Sequence, residues 1–318
     1  MSKKPVLLSG IKPTGDLHIG NYFGAMRQQV ELFKSGKYRC FIMVADYHAL
    51  NTMQNAEEMR RRTKELVMAY IAIGLDPKDV VLFKQSDVPE HTELAWIFDT
   101  ITTMPYLMRA HAYKDAVAKN KEINVGTFNY PMLMAADILI YDTSIVPVGA
   151  DQKQHIEIAR DTAQKFNHIF KNDLFVLPKP YIMPDVATVP GIDGKKMSKS
   201  YGNVIPLFSS REELTKQVMS IVTNSSGERP ENVYKIHKLV RSEQELDLIY
   251  SEHEGKYKEL KDMLADDLNN YLEPIRERYN KIKNDYEIVN DILKSGAEKA
   301  RAVTKEKIRL VKQAIGVL

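Results

Sequence analysis

The chain has 318 residues, 44% of them hydrophobic and 27% charged, which predicts a soluble chain with one large domain and a smaller one. Its net charge of +3 does not announce nucleic-acid binding, although local basic patches can still hold phosphates. The single cysteine, Cys40, lies in the apolar run Cys40-Phe41-Ile42-Met43-Val44, so it reads as a buried strand residue; an intrachain disulfide and a multi-cysteine zinc or iron–sulfur site are excluded.

In chain order, Val6-Leu7-Leu8 is a short β-type run, too short for a signal peptide. No segment approaches the roughly 18 apolar residues of a membrane span, so a cytoplasmic location and no membrane partner are expected. The run ends in Ser9-Gly10-Ile11-Lys12-Pro13-Thr14-Gly15, whose Gly and Pro residues mark a tight turn. Asp16 is placed to cap a following helix, in which Leu17, Ile19, Tyr22, Phe23, Met26, Val30 and Phe33 recur at mixed spacings of three and four. A second strand at Cys40–Val44, a helix from Ala56 to Ile73 that stops at Gly74, and a third strand at Val80–Phe83 continue the alternation. Such alternation predicts an α/β fold, a Rossmann-like doubly wound parallel sheet with ligands at the carboxyl ends of its strands.

His91 to Thr103 reads as a helix, and Ala110 to Asn124 as an exposed hairpin of helices or an insertion. Tyr130 to Tyr141 is a buried helix with Asp137 as its only charge, and Ile145-Val146-Pro147-Val148 is a core strand followed by Gly149-Ala150-Asp151-Gln152 and a helix from Gln154 to Asn167. Beyond Ser210 charged helices replace strand-like runs, which predicts a smaller all-α domain over 206–291 after a sheet domain over 1–205. Pro274 is expected to start or kink a helix. Gly296 is expected to end one, leaving a last helix within 292–318 that docks on the sheet domain.

Two stretches carry chemistry. In Pro13-Thr14-Gly15-Asp16-Leu17-His18-Ile19-Gly20-Asn21 a turn leads into a helix start that suits a phosphate, and the costly Gly20 suggests that something flat lies against the backbone. Read by itself, the stretch is either a nucleotide cradle or an ordinary strand-to-helix turn. In Gly194-Lys195-Lys196-Met197-Ser198-Lys199-Ser200-Tyr201-Gly202-Asn203 three lysines fall within five residues of what reads as a mobile loop, which is either a polyphosphate site or solvated surface charge. Asp137 can supply the single acceptor that an indole N–H needs, or can be a core carboxylate bonded to neighbouring helix ends.

Together, the two stretches resemble the paired signatures of class I aminoacyl-tRNA synthetases, with Asn21 in place of the first motif's final His and Lys196-Met197-Ser198-Lys199-Ser200 intact. Ser9 to Gly15, Tyr130-Pro131 through Ala135-Ala136-Asp137, and Val146 through His155 extend the resemblance to the bacterial type of the tryptophanyl-tRNA synthetase family over nearly the whole chain. One departure is Lys12, where many bacterial members have Gln. The resemblance implies activation of L-tryptophan by ATP and transfer to the 2′-hydroxyl of the terminal adenosine of tRNA(Trp), by a homodimer. Mg²⁺ would be carried on the phosphates without a protein ligand cluster.

By the same resemblance Lys196, Lys199 and His18 are the catalytic set. ATP is expected at Lys12, Pro13, Thr14, Gly20, Asn21, Gly149, Ala150, Asp151, Met197, Ser198 and Ser200 as well as at the two lysines. Tryptophan is expected at Asp137, Tyr130, Met134, Val146, Val148 and Gln152; His48 either lines this pocket or is a satisfied structural histidine. Domain movement would close the lysine loop over ATP. Tyrosyl-tRNA synthetase is the near alternative. A free-standing nucleotidyltransferase and a non-catalytic paralogue are the remoter ones.

Overall fold

In the computed structural model, residues 4–13, 15–119, 122–149, 152–182, 188–223 and 229–318 are described. Five strands, β1 (Val6–Ile11), β2 (Arg39–Val44), β3 (Val80–Lys84), β4 (Ile145–Val148) and β5 (Lys179–Ile182), form a parallel sheet in the order β3-β2-β1-β4-β5. Successive strand residues point to opposite faces, and each central strand is apolar on both. Leu7, Cys40, Ile42, Val80 and Leu82 enter one core, whereas Leu8, Phe41, Met43, Val81 and Phe83 enter the other. The chain order reverses between β1 and β4, so a crevice opens at the carboxyl ends of those two strands. Strand β5 gave no sequence signal, because Lys179 and Pro180 suit only an edge.

The helices are α1 (Ile19–Asn21), α2 (Arg27–Lys34), α3 (Asp46–Ala49), α4 (Ala56–Ala72), α5 (Glu90–Ile101), α6 (Met104–Leu107), α7 (His111–Ala118), α8 (Val125–Leu139), α9 (Lys153–Ile169), α10 (Arg211–Met219), α11 (Glu231–His237), α12 (Glu243–Glu252), α13 (Tyr257–Lys283) and α14 (Tyr286–Ile315). A π-helical turn, Tyr22–Met26, joins α1 to α2, which accounts for the mixed apolar spacing there. Residues of α2, α4 and α10 to α13 share the first core, and those of α5, α8 and α9 share the second. Between Ala110 and Asn124 the described residues hold one short helix, α7, not the expected hairpin of helices. Pro274 lies inside α13.

The break expected at Gly296 is absent. Helix α14 places Val289 and Leu293 in the first core and Ala297, Ala300, Ile308 and Val311 in the second, so it crosses the edge of the sheet along β3. Gly296 sits at that crossing, where a Cβ would overlap the Leu82 carbonyl; here glycine serves close approach rather than termination. Past the crossing, Lys307 donates to the Leu174 carbonyl at 3.0 Å and pairs with Asp142 at 2.6 Å.

Candidate active site

The first motif follows β1 directly. Asp16 does not cap the helix; His18 is the N-cap residue, and its N–H donates to Asn21 Oδ1 at 3.1 Å. Asp16 instead accepts from both terminal guanidinium nitrogens of Arg62 on α4, which ties the loop to the neighbouring helix. Arg62 gave no signal in the sequence, because its partner lies 46 positions away. The Asn21 side-chain oxygen is thus committed to its own helix. At Gly20 the flat group against the backbone is the imidazole of His18, since a Cβ there would stand 2.8 Å from its Nδ1 and 3.3 Å from Met197 Cβ.

The second motif is anchored through Met197 and Asn203. Met197 is buried and its N–H donates to Val189 O at 3.0 Å. Asn203, 2% exposed, accepts from Ser198 N–H at 2.8 Å and donates to Lys196 O and Asp193 Oδ1 at 3.2 and 2.6 Å. Ser198 and Ser200 share a hydroxyl hydrogen bond of 2.9 Å. Lys199 lies directly over Gly15, whose φ of +74° and missing side chain make the space it uses.

A cavity of about 710 Å³ collects Lys12, Pro13, Gly15, His18 and Lys199 from the two motifs, and Tyr279 from α13. Lys196, Gly20 and Asn21 do not line it. Thr14, Ala150 and Asp151, all expected at ATP, lie outside the described residues. Gly149 is exposed after β4, and its carbonyl accepts from Gln152 N–H at 3.0 Å.

Partial burial, then the charge of Lys199, pushes the His18 imidazole down to about 4. Its Nδ1 is buried and has no partner among the described residues. A neutral ring with a free polar edge follows. The unfolded chain protonates first, so the contribution of this residue to stability is full above the ordinary value of 6.5 and is lost as the pH falls toward about 4. In histidine-labelled protein, the ring resonance that disappears in His18→Gln is expected to titrate near 4; a midpoint near 6.5 would show an ordinary solvated ring.

The other expected set gathers around α8. Asp137 is 2% exposed, and both its oxygens are engaged: Oδ1 accepts from His91 Nδ1 at 2.5 Å and from Gln85 Nε2 at 2.9 Å, while Oδ2 accepts from His48 Nε2 at 2.9 Å and from Gln85 Nε2 at 3.0 Å. The open acceptor expected from the sequence is therefore an occupied one. Burial alone would raise this carboxyl, but the His48 hydrogen bond and the charge and hydrogen bond of His91 outweigh it and hold it at about 2. His48 itself is 6% exposed, with its ring 6.1 Å from that of Tyr130.

Tyr130 and Gln152 are brought together by His155, whose Nε2 bonds the Tyr130 hydroxyl and whose Nδ1 bonds Gln152 Oε1 at 2.8 Å. Val146 is buried; Met134 and Val148 are half-buried. His91 and Gln85 escaped sequence reasoning. The available signal was a Gln two residues past the apolar run Val80–Phe83, at the carboxyl end of a strand.

The family model for class I tRNA synthetases (W and Y) matches residues 1–281. A tryptophan–tRNA ligase of Fusobacterium nucleatum is 44% identical over 98% of both chains, and one from Campylobacter jejuni is 43% identical over 98% of this chain and 99% of its own. A crystal structure of the Campylobacter jejuni tryptophanyl-tRNA synthetase complexed with ADP and tryptophan superposes with a TM-score of 0.90 at 43% identity, covering 98% of this chain and 99% of that one. A tyrosyl-tRNA synthetase from Archaeoglobus fulgidus, at 22% identity and a TM-score of 0.65, shares the fold.

Proposed function

We propose the activity of this chain, which belongs to the class I tRNA synthetases for tryptophan and tyrosine, as that of the tryptophan member: a tryptophan–tRNA ligase. L-Tryptophan reacts with ATP to give tryptophanyl-adenylate and pyrophosphate, and the tryptophanyl group then passes to the 2′-hydroxyl of the terminal adenosine of tRNA(Trp). The observation that carries the choice of amino acid is the identity of 43–44% to tryptophan–tRNA ligases along 98% of the chain. Asp137 fits it, because an indole has one donor and no acceptor, and an ionised carboxylate in an apolar wall is its complement.

The chemistry needs positioning and charge more than covalent help. We assign Lys199, with Lys12 and the neutral His18, to the phosphate chain of ATP; the charged ammonium groups stabilise the negative charge that gathers on the leaving pyrophosphate. Lys196, exposed beside the cavity, is assigned to the same phosphates once the nucleotide is bound. Adenosine is assigned to the segment from Pro13 to Asn21, with Met197 and the loop after β4. Tyr130, kept protonated by burial that raises its hydroxyl to about 12, and Gln152 Oε1 offer acceptors to the tryptophan ammonium. The cationic lining suits a polyphosphate with Mg²⁺ on its own oxygens, where the ion neutralises charge.

The homodimer is part of this reading. Its support is that large apolar side chains are left exposed, Trp96 on α5 at 71%, Met104 on α6 at 61% and Val125 on α8 at 80%. No helix among the described residues is long and apolar enough to cross a membrane, which fits a cytoplasmic enzyme. The deciding experiment is ATP–pyrophosphate exchange across all amino acids, followed by charging of total tRNA. Exchange with tryptophan is expected to exceed that with tyrosine by several orders of magnitude. The reverse order would make the protein a tyrosyl enzyme, and no exchange despite ATP binding would make it a non-catalytic paralogue.

A further inference from the structure

Resting on the assignment of Asp137 to the indole N–H, we infer that Gln85 and His91, the latter braced by Tyr141, are positioning residues that fix this carboxylate and thereby set the preference for an N–H-bearing ring. Four elements converge on the one acid: α8 supplies Asp137, α3 supplies His48, α5 supplies His91, and the turn after β3 supplies Gln85. Gln85 and His91 are both fully buried, so neither reaches a ligand itself. The side chain that both of them bond is Asp137.

The direction of the bond to Asp137 does not depend on the protonation of His91. Nδ1 faces Asp137 Oδ1 at 2.5 Å and Nε2 faces the Tyr141 hydroxyl at 2.8 Å. In the neutral ring Nδ1–H donates to Asp137 and Nε2 accepts from Tyr141; in the cation both nitrogens donate. Asp137 receives a hydrogen bond in either case. The Gln85 amide is itself oriented, because its oxygen accepts from His48 N–H at 3.4 Å, which turns its nitrogen toward the acid.

A carboxylate offers about four lone-pair sites, and the contacts from His48, His91 and Gln85 fill them. Gln85 alone reaches both oxygens, at 2.9 and 3.0 Å, so it can settle on one oxygen and release a site on the other while both imidazoles hold the acid still. An indole N–H takes the released site. A ring lacking that hydrogen cannot take the site: either Gln85 stays across both oxygens and the ring gains no bond, or a bond of Gln85 is given up with nothing in return, so such a ring is disfavoured.

The test compares exchange kinetics of the full-length enzyme with tryptophan and with β-(3-benzothienyl)alanine, in which sulfur replaces the indole N–H. Wild type is expected to favour tryptophan in kcat/KM by on the order of 100-fold or more. His91→Leu and Gln85→Leu are expected to lower that ratio at least tenfold with KM for ATP unchanged. His91→Asn, whose amide can donate from the position of Nδ1, should recover most of it. A wild-type ratio in both leucine variants would overturn the inference. Should those two fail to fold, Tyr141→Phe decides, since it removes only the brace: a lowered ratio supports the inference and an unchanged one overturns it. Asp137→Ala, which removes the acceptor altogether, separates the two layers of the argument. If its ratio stays at the wild-type value, the Asp137 assignment falls; if it collapses while the Gln85 and His91 variants keep theirs, only the positioning role falls.

Discussion

Lys199→Ala is expected to slow tryptophan-dependent pyrophosphate exchange by on the order of 10²–10³-fold, the usual cost of removing one preorganised charge from a developing anion. KM for tryptophan should stay within about twofold. The geometry separates the two effects. Lys199 lies against Gly15, on the side of the cavity formed by the first loop, whereas Tyr130, Asp137 and Gln152 belong to α8 and the loop after β4. Partial burial lowers the Lys199 ammonium from its ordinary value, and the Asp16 carboxylate opposes that shift. The residue is thus already partly stripped of water where the phosphates would arrive, so little reorganisation remains at the moment of reaction. Single-turnover adenylate formation at saturating ATP measures the step directly. A tenfold or larger rise in KM for tryptophan would mean that the lysine loop helps to build the amino-acid pocket.

Gly296→Ala is expected to be among the most damaging single-methyl additions in this chain. The new Cβ would overlap the Leu82 carbonyl, and neither partner can turn aside, because one is helix backbone and the other is a strand paired on to β2. Overpacking of this kind costs typically 1–3 kcal/mol, and with backbone as the obstacle about 3 kcal/mol is expected. That corresponds to a fall in Tm of roughly 4–5 °C. Gly24→Ala is the control, since nothing lies within 4 Å of a Cβ built there. Equal melting temperatures for the two variants would show that α14 can lift off β3 at little cost.

How far the sequence could be read follows from these same residues. The parallel sheet was legible because its inner strands are apolar on both faces, a pattern that few other structures need. The two motifs were ambiguous one at a time and became legible as a pair, through their resemblance to the signatures of class I synthetases. Gly296 was misread because a helical glycine has the same appearance whether it ends a helix or lets one pass a strand. Gln85, His91 and Arg62 were illegible for a different reason: each is an unremarked polar residue whose meaning comes from a partner 46 or 52 positions away. Asp137 stood between these cases. Its isolation on an apolar helix announced a purpose, and only the fold revealed how completely its oxygens are taken.

The π-helical turn at Tyr22–Met26 has a consequence for how the first motif is aimed. A wide turn adds one residue to the count, or about 100° of rotation, between the two ends of an otherwise regular helix. Upstream of it, His18 is phased toward the cavity that it lines with Lys199; downstream, Val30 and Phe33 are phased toward the core on the sheet. An unbroken α-helix would force a single phase on both, and one end would miss its target. The wide turn works as a spacer between two clocks, so that packing against the sheet can be satisfied without turning His18 away from the cavity.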